Sequence, residues 1–190
     1  MELVSMSLEQ AILGFLNYRS YSGYDLKKFF DTSVRHFWPA DQSQIYRTLA
    51  RMSEKGWVDI EVIPQEARPD RKLYHITATG REALQQWLTA PLPPQDNRSA
   101  EMIQVFFAGQ LTDEEVLAMF ERAAEDIRAG LAYYAQIPRH IEAYSQYTTS
   151  PREFFFWMLT LDVGVHNLQS NLDFLENLIQ RIRNGEIPAA

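Results

Sequence analysis

The chain has 190 residues, no cysteine and a formal net charge of −7. That length supplies one large or two small domains with a real core, and the missing thiols exclude a disulfide scaffold, a thiolate metal site and a cysteine nucleophile. Residues 1–90 hold 11 Lys and Arg against 11 Asp and Glu, whereas residues 91–190 hold 7 against 14 and no lysine, so two modules are expected and only the first tolerates phosphates nearby.

The first predicted element is a helix over SLEQAILGFLN, residues 7–17, with Ser7 and Gln10 spaced as a capping box and Leu8, Ile12, Phe15 and Leu16 as its apolar stripe. Ser22 is the expected cap of a second helix, GYDLKKFFDTSVRHF, closed at Phe37-Trp38-Pro39 because proline disfavours helix in the residue before it. A third begins at a capping box of Asp41 and Gln44 and ends at Gly56. On it Ile45, Leu49 and Met52 share one side, while Gln44, Arg47, Thr48, Arg51 and Lys55 fill an arc on the other. Taken alone, such a charged face is most often simply solvated. Next, WVDIEVI alternates as a strand, PQEARPDRK carries turn signals, LYHIT returns as a second strand, and Thr77 caps a helix running to about Leu88.

APLPPQDNRS, rich in proline and polar residues, continues neither element, so a boundary is expected there: one domain over 1–89, a linker over 90–99 and a helical domain over 100–190. After the short apolar segment AEMIQVFFAG, Thr112 and Glu115 start a helix whose Leu117, Phe120, Ala124, Ile127, Leu131 and Tyr134 recur in steps of three and four. Pro138 should kink or end it. Ser150, Pro151 and Glu153 supply an N-cap, a first-turn proline and a capping partner for the last helix. There Phe154, Met158, Leu161, Val165, Leu168, Leu172, Leu175, Ile179 and Ile182 form a narrow seam with coiled-coil spacing. Its partner is either another helix of the chain or a second copy; the dimer is the expectation carried forward.

Three helices followed by a two-stranded wing make a winged helix-turn-helix, whose third helix enters the major groove. Gln44, Arg47, Thr48 and Arg51 would then face DNA, with Arg68, Arg71 and Lys72 on the wing near phosphates. The predicted fold is mainly α with a small β-wing, joined to a C-terminal helical dimerisation domain. SGYDLKKFF, IYRTLARMSEKGWV and RPDRKLYHITATGREAL resemble segments of the PadR family of bacterial transcriptional regulators. The shared features are an early Gly-Tyr-x-Leu, an aliphatic-Tyr pair opening the recognition helix, and a glycine ending it. An Arg-Pro-Asp-Arg-Lys wing then precedes Tyr-x-x-Thr-x-x-Gly. The resemblance is close over residues 6–88 and looser beyond; Met52-Ser53 departs from the Leu-Glu of many members. It implies a homodimeric regulator, usually a repressor, that binds inverted-repeat operators and is released by a small phenolic or other aromatic effector. It also places Tyr46 at the DNA surface near Ser43 and Gln44, and makes Arg71 and Lys72 the wing contacts.

Two rival readings stand beside this one. The four histidines are scattered, and no phosphate loop or nucleophile motif accompanies them; no catalytic residue, metal or cofactor is expected. Asp162 and His166 lie one helical turn apart and offer two metal ligands, but such pairs are more often solvated. The alternative is a winged-helix interaction adaptor that does not bind DNA, which salt-dependent duplex binding would separate from a regulator. Phe106, Phe107, Tyr133, Tyr134, Phe155 and Trp157 either line an effector pocket or form ordinary core. The opening residues lack the basic run and apolar segment of a signal peptide. The most apolar window, FFFWMLTLDVGV, is interrupted by Asp162 and too short to span a bilayer, so a soluble cytoplasmic protein is expected.

Overall fold

The apolar stripes of the first three helices converge on one core. The structure, a computed structural model, describes residues 2–66, 70–92, 98–186 and 188, and the chain divides into two units, Met1–Pro93 and Pro94–Ala190. In the first unit Ile12, Leu13 and Leu16 of α1 (Glu2–Tyr18) meet Leu26, Phe29 and Phe30 of α2 (Gly23–Thr32). Ile45, Leu49 and Met52 of α3 (Gln42–Glu54) complete the core, and all nine are at most 2% exposed. The Phe15 ring lies 4.4 Å from that of Phe29 and 4.8 Å from that of Phe30. Helices this short are marginal alone and are held by such burial.

The ends of α3 follow from its sequence. The Gln44 N–H donates to the Asp41 carboxylate at 2.7 Å, and the Asp41 N–H donates to the Gln44 side chain at 2.9 Å, completing the expected capping box. Gly56 then adopts a φ of 70°, where a side chain would be strained. Thr77 caps α4 (Ala78–Thr89) as expected.

The other edges of this unit differ from the expectation. Helix α1 begins at Glu2, so Ser7 lies inside it rather than capping it; residues 2–6 contain no glycine or proline to interrupt the helix. Helix α2 stops at Thr32, and 33–37 form turns. There the Thr32 and Ser33 hydroxyls donate to the carbonyls of Lys28 and Phe29, competing with the helical ladder. The wing is a three-stranded antiparallel sheet in the order β1-β3-β2, built from β1 (Tyr21–Ser22), β2 (Val58–Ile63) and β3 (Arg71–Ile76). Two residues are too few to show alternation, which hid β1; they pair as Tyr21 with Tyr74 and Ser22 with Leu73. Arg71 and Lys72 belong to β3, opposite Ile63 and Val62, rather than to the turn.

The second unit is helical. After α5 (Ala100–Phe107), the capping box of Thr112 and Glu115 starts α6 (Asp113–Ala135), which ends before Pro138. Ser150 caps α7 (Pro151–Arg183) by accepting from the Glu153 N–H, but the Glu153 carboxylate accepts from Thr148 at 2.5 Å instead of completing a reciprocal box. The seam of α7 is turned inward within its own unit, most fully in its C-terminal half. None of Phe154, Met158, Leu161, Val165, Leu168, Leu172, Leu175, Ile179 and Ile182 is exposed. Leu172, Ile179 and Ile182 share a core with Val116, Phe120 and Ala124 of α6, with Leu175, Ile127 and Leu131 packed beside it. Both helices carry stripes in steps of three and four, so α6 meets the spacing of this part of the seam. Arg128 pairs with Glu176 at 2.7 Å and Arg183 with Glu121 at 2.6 Å across the two helices.

Candidate nucleic-acid interface

With Ile45, Leu49 and Met52 buried, the opposite side of α3 is presented outward. Ser43, Gln44, Tyr46, Arg47 and Arg51 are exposed on it. Tyr46 is positioned by α2: a Cβ added to Gly23 would stand 2.4 Å from the Tyr46 Cε1. The Gly-Tyr of α2 and the Ile-Tyr of α3 thus contain the two halves of one contact. Thr48 corrects the expectation, being 2% exposed. It lies three residues after Ile45 and four before Met52, on the edge of the core stripe, and accepts a hydrogen bond from Arg51 Nη2 at 3.2 Å.

The basic face is divided. Lys55 Nζ donates to both oxygens of Glu9 at 2.9 and 2.8 Å, and Arg51 Nε stands 3.5 Å from Glu9 Oε1. Sequence reading passed over Glu9; its signal was an acidic residue beside Leu8 on the apolar side of α1. Arg47 has no ion pair among the described residues.

On the wing, Lys72 is exposed and likewise has no ion pair among the described residues. Arg68 lies outside the described residues. Arg71 Nη2 donates to Asp25 Oδ2 at 2.7 Å, and the same oxygen accepts from Ser22 Oγ at 2.6 Å. Burial pushes the Asp25 carboxyl up, but the hydrogen bonds from Ser22 and Arg71 and the Arg71 charge outweigh it and hold the group below its ordinary value. Asp25, also missed from sequence, therefore ties the start of α2 to the wing. Ser22, Gly23, Tyr24, Tyr46, Arg71 and Lys72 line a cleft of about 490 Å³ beside this pair. The arrangement offers a phosphate surface the exposed cations Arg47 and Lys72, together with the hydroxyl of Ser43, the amide of Gln44 and the phenol of Tyr46.

In the second unit the exposed apolar residues lie off the seam. Phe155, Phe156, Leu159, Val163 and Phe174 of α7 are exposed, as are Met102, Ile103, Phe106 and Phe107 of α5. Tyr134 is core, packed where a Cβ on Gly164 would stand 2.4 Å from its hydroxyl. The Trp157 ring centroid lies 6.1 Å from that of Tyr144, while Tyr133, Phe106, Phe107 and Phe155 face outward. Asp162 accepts from Arg139 at 2.5 Å, and among the described residues no group of three or more histidine or acidic side chains is placed to hold a metal. No described helix is long and apolar enough to cross a membrane.

Comparison with known proteins adds to this geometry. Residues 12–86 match the profile of the transcriptional regulator PadR-like family, and residues 97–183 that of the virulence activator alpha C-terminal family. A probable transcriptional regulator of Mycobacterium tuberculosis is 44% identical over 89 residues, a stretch that is 47% of this chain and 47% of that protein. The negative transcriptional regulator PadR of Bacillus subtilis is 25% identical over 176 residues, 92% of this chain and 97% of that one. Its crystal structure in complex with operator DNA aligns with a TM-score of 0.77 at 26% identity, covering 93% and 99% of the two chains. The same protein in complex with p-coumaric acid aligns at 0.73 and 24% identity, covering 94% and 97%. The Vibrio cholerae virulence activator AphA aligns at 0.70 and 25% identity, covering 93% and 98%.

Proposed function

The chain belongs to the PadR-like family of DNA-binding transcriptional regulators, and from that premise we propose that it acts as a cytoplasmic homodimer on inverted-repeat operators. Ser43, Gln44, Tyr46 and Arg47 of α3 meet the major groove, and Lys72 meets the adjacent backbone. The observation that carries this reading is the division of α3 into a sealed apolar face and an outward face whose Arg47 has no ion pair among the described residues. A polar face alone would be merely solvated; its place as the third helix of a winged helix-turn-helix is what supports its entry into a groove. Gln44 has the amide to pair with an adenine edge and Arg47 the fork to pair with guanine.

The second copy docks on the exposed apolar side chains of α5 and α7, a choice supported by the packing of Leu172, Ile179 and Ile182 of the seam against α6. A small aromatic acid is the effector class, by similarity to the relative that binds p-coumaric acid. Repression is the expected sign by similarity to the negative regulator PadR; likeness to a virulence activator makes activation the second outcome of the same test. The test is footprinting of the purified protein on its own upstream region, with and without p-coumarate, paired with a transcription assay. Protection should fall in two half-sites with centres about 10 base pairs apart, or a multiple of that. Absence of salt-dependent duplex binding would leave the interaction adaptor as the surviving reading.

A further inference from the structure

Glu9 is the only buried carboxylate among the described residues, 2% exposed on the core side of α1 beside Leu8, Ile12 and Leu13. A charge withdrawn from water persists only where partners compensate it. Its partners come from the end of α3. Lys55 Nζ donates to both carboxylate oxygens, at 2.9 and 2.8 Å, and stands 4.5 Å from the centroid of the Trp57 ring. Arg51 Nε approaches Oε1 at 3.5 Å while its Nη2 donates to the buried Thr48. Two cations at the C-terminal end of α3 are thereby drawn toward α1, and Arg47, nearer the start, is left outward.

We propose that Glu9 is a positioning residue for DNA binding: it holds Arg51 and Lys55 back from the duplex, so that α3 engages DNA through its first half, Ser43 to Arg47. The inference rests on the reading that α3 meets DNA. Its physical logic is that free cations attract the phosphates of any sequence alike, which raises non-specific binding without adding discrimination. A carboxylate that neutralises two of them lowers that background, and fixing Arg51 on Thr48 and Glu9 also fixes the azimuth at which α3 leaves the core.

The test is titration of the full-length wild type, Glu9→Gln, Arg47→Ala and the double variant Arg51→Met/Lys55→Met against a fluorescent random-sequence duplex over a salt series. Each neutralised phosphate contributes about 0.9 to the slope of log affinity against log salt. Glu9→Gln keeps the shape and hydrogen-bonding capacity of the side chain but removes its charge. It should bind random duplex more tightly, with a slope steeper by about one unit for each cation released. Arg47→Ala should be shallower than wild type. The double variant should keep the wild-type slope and melt at a lower temperature, because Glu9 is left buried without a cation. A Glu9→Gln protein that folds but keeps the wild-type slope would overturn the proposal. So would a double variant whose slope falls by about one unit or more, and that arm decides the matter if Glu9→Gln does not fold. A wild type that binds no duplex would instead remove DNA as the partner altogether.

Discussion

Arg47 and Leu49 are two residues apart and point to opposite fates. Arg47 is exposed and Leu49 is fully buried. Arg47→Ala should leave thermal stability within about half a kcal/mol, the usual range for an exposed side chain outside any cap or network. Leu49→Ala should cost about 2 to 5 kcal/mol through the cavity it leaves. If Arg47 contacts a base edge, discrimination between operator and scrambled duplex at matched salt falls by about 1 to 3 kcal/mol; if it touches phosphate only, both duplexes weaken together. Undiminished binding to both would show that Arg47 is merely solvated. Asp25 gives a pH prediction at the same scale. A carboxyl whose folded pKa is depressed contributes stability above its unfolded value and loses it as pH falls through the folded one. Arg71→Ala removes one cause of the depression and should move the acid-unfolding midpoint to higher pH. The shift is small, because both side chains are more than a third exposed and solvent screens them. An unchanged midpoint would mean that Ser22 suffices to hold the carboxyl low.

At the scale of elements, α7 has two apolar faces in different surroundings. The seam through Leu172, Ile179 and Ile182 is core shared with α6. Phe155, Leu159 and Val163, spaced one turn apart, lie outward. Phe155→Glu with Leu159→Glu should retain helicity by circular dichroism and sediment as a monomer. Ile179→Glu, which forces an unpaired charge into the α6–α7 core, should instead lose helicity and cooperative melting. A double Glu variant that remains dimeric would move the interface elsewhere. The wing follows a similar division. Val58 is buried at the base of β2, whereas Ile60 and Val62 are exposed, so the alternation of this strand announces a sheet without a second layer over its outer half.

For the whole molecule the central consequence is avidity. In the proposed dimer each copy supplies one α3, and binding to two half-sites would convert the second contact into an intramolecular one. The monomeric Phe155→Glu/Leu159→Glu variant should therefore lose about 10² to 10⁴-fold in affinity for a two-half-site operator, while binding a single half-site as the wild type does at matched concentration per protomer. Equal loss on both duplexes would show that the substitutions had damaged the fold rather than the assembly. The charge distribution belongs to this scale too: a first part with balanced charge and a second carrying the whole excess of acid suit contact with phosphate in the one and its avoidance in the other.

The sequence by itself determined what depends on neighbours a few residues apart. The caps at Asp41, Thr77, Thr112 and Ser150, the turn at Gly56 and the sealed face of α3 all formed where the residues indicated, because capping and helical periodicity are local in origin. Periodicity specifies a face without specifying what covers it. Only the tertiary structure decided that α6 covers the C-terminal half of the α7 seam, that Thr48 falls on the inner side of the stripe, and that the two-residue β1 joins the wing. The division of the cations was decided there as well. Glu9 and Lys55, like Asp25 and Arg71, are 46 positions apart in the chain, and such pairs meet only after the core between α1, α2 and α3 has set the geometry that brings their charges together.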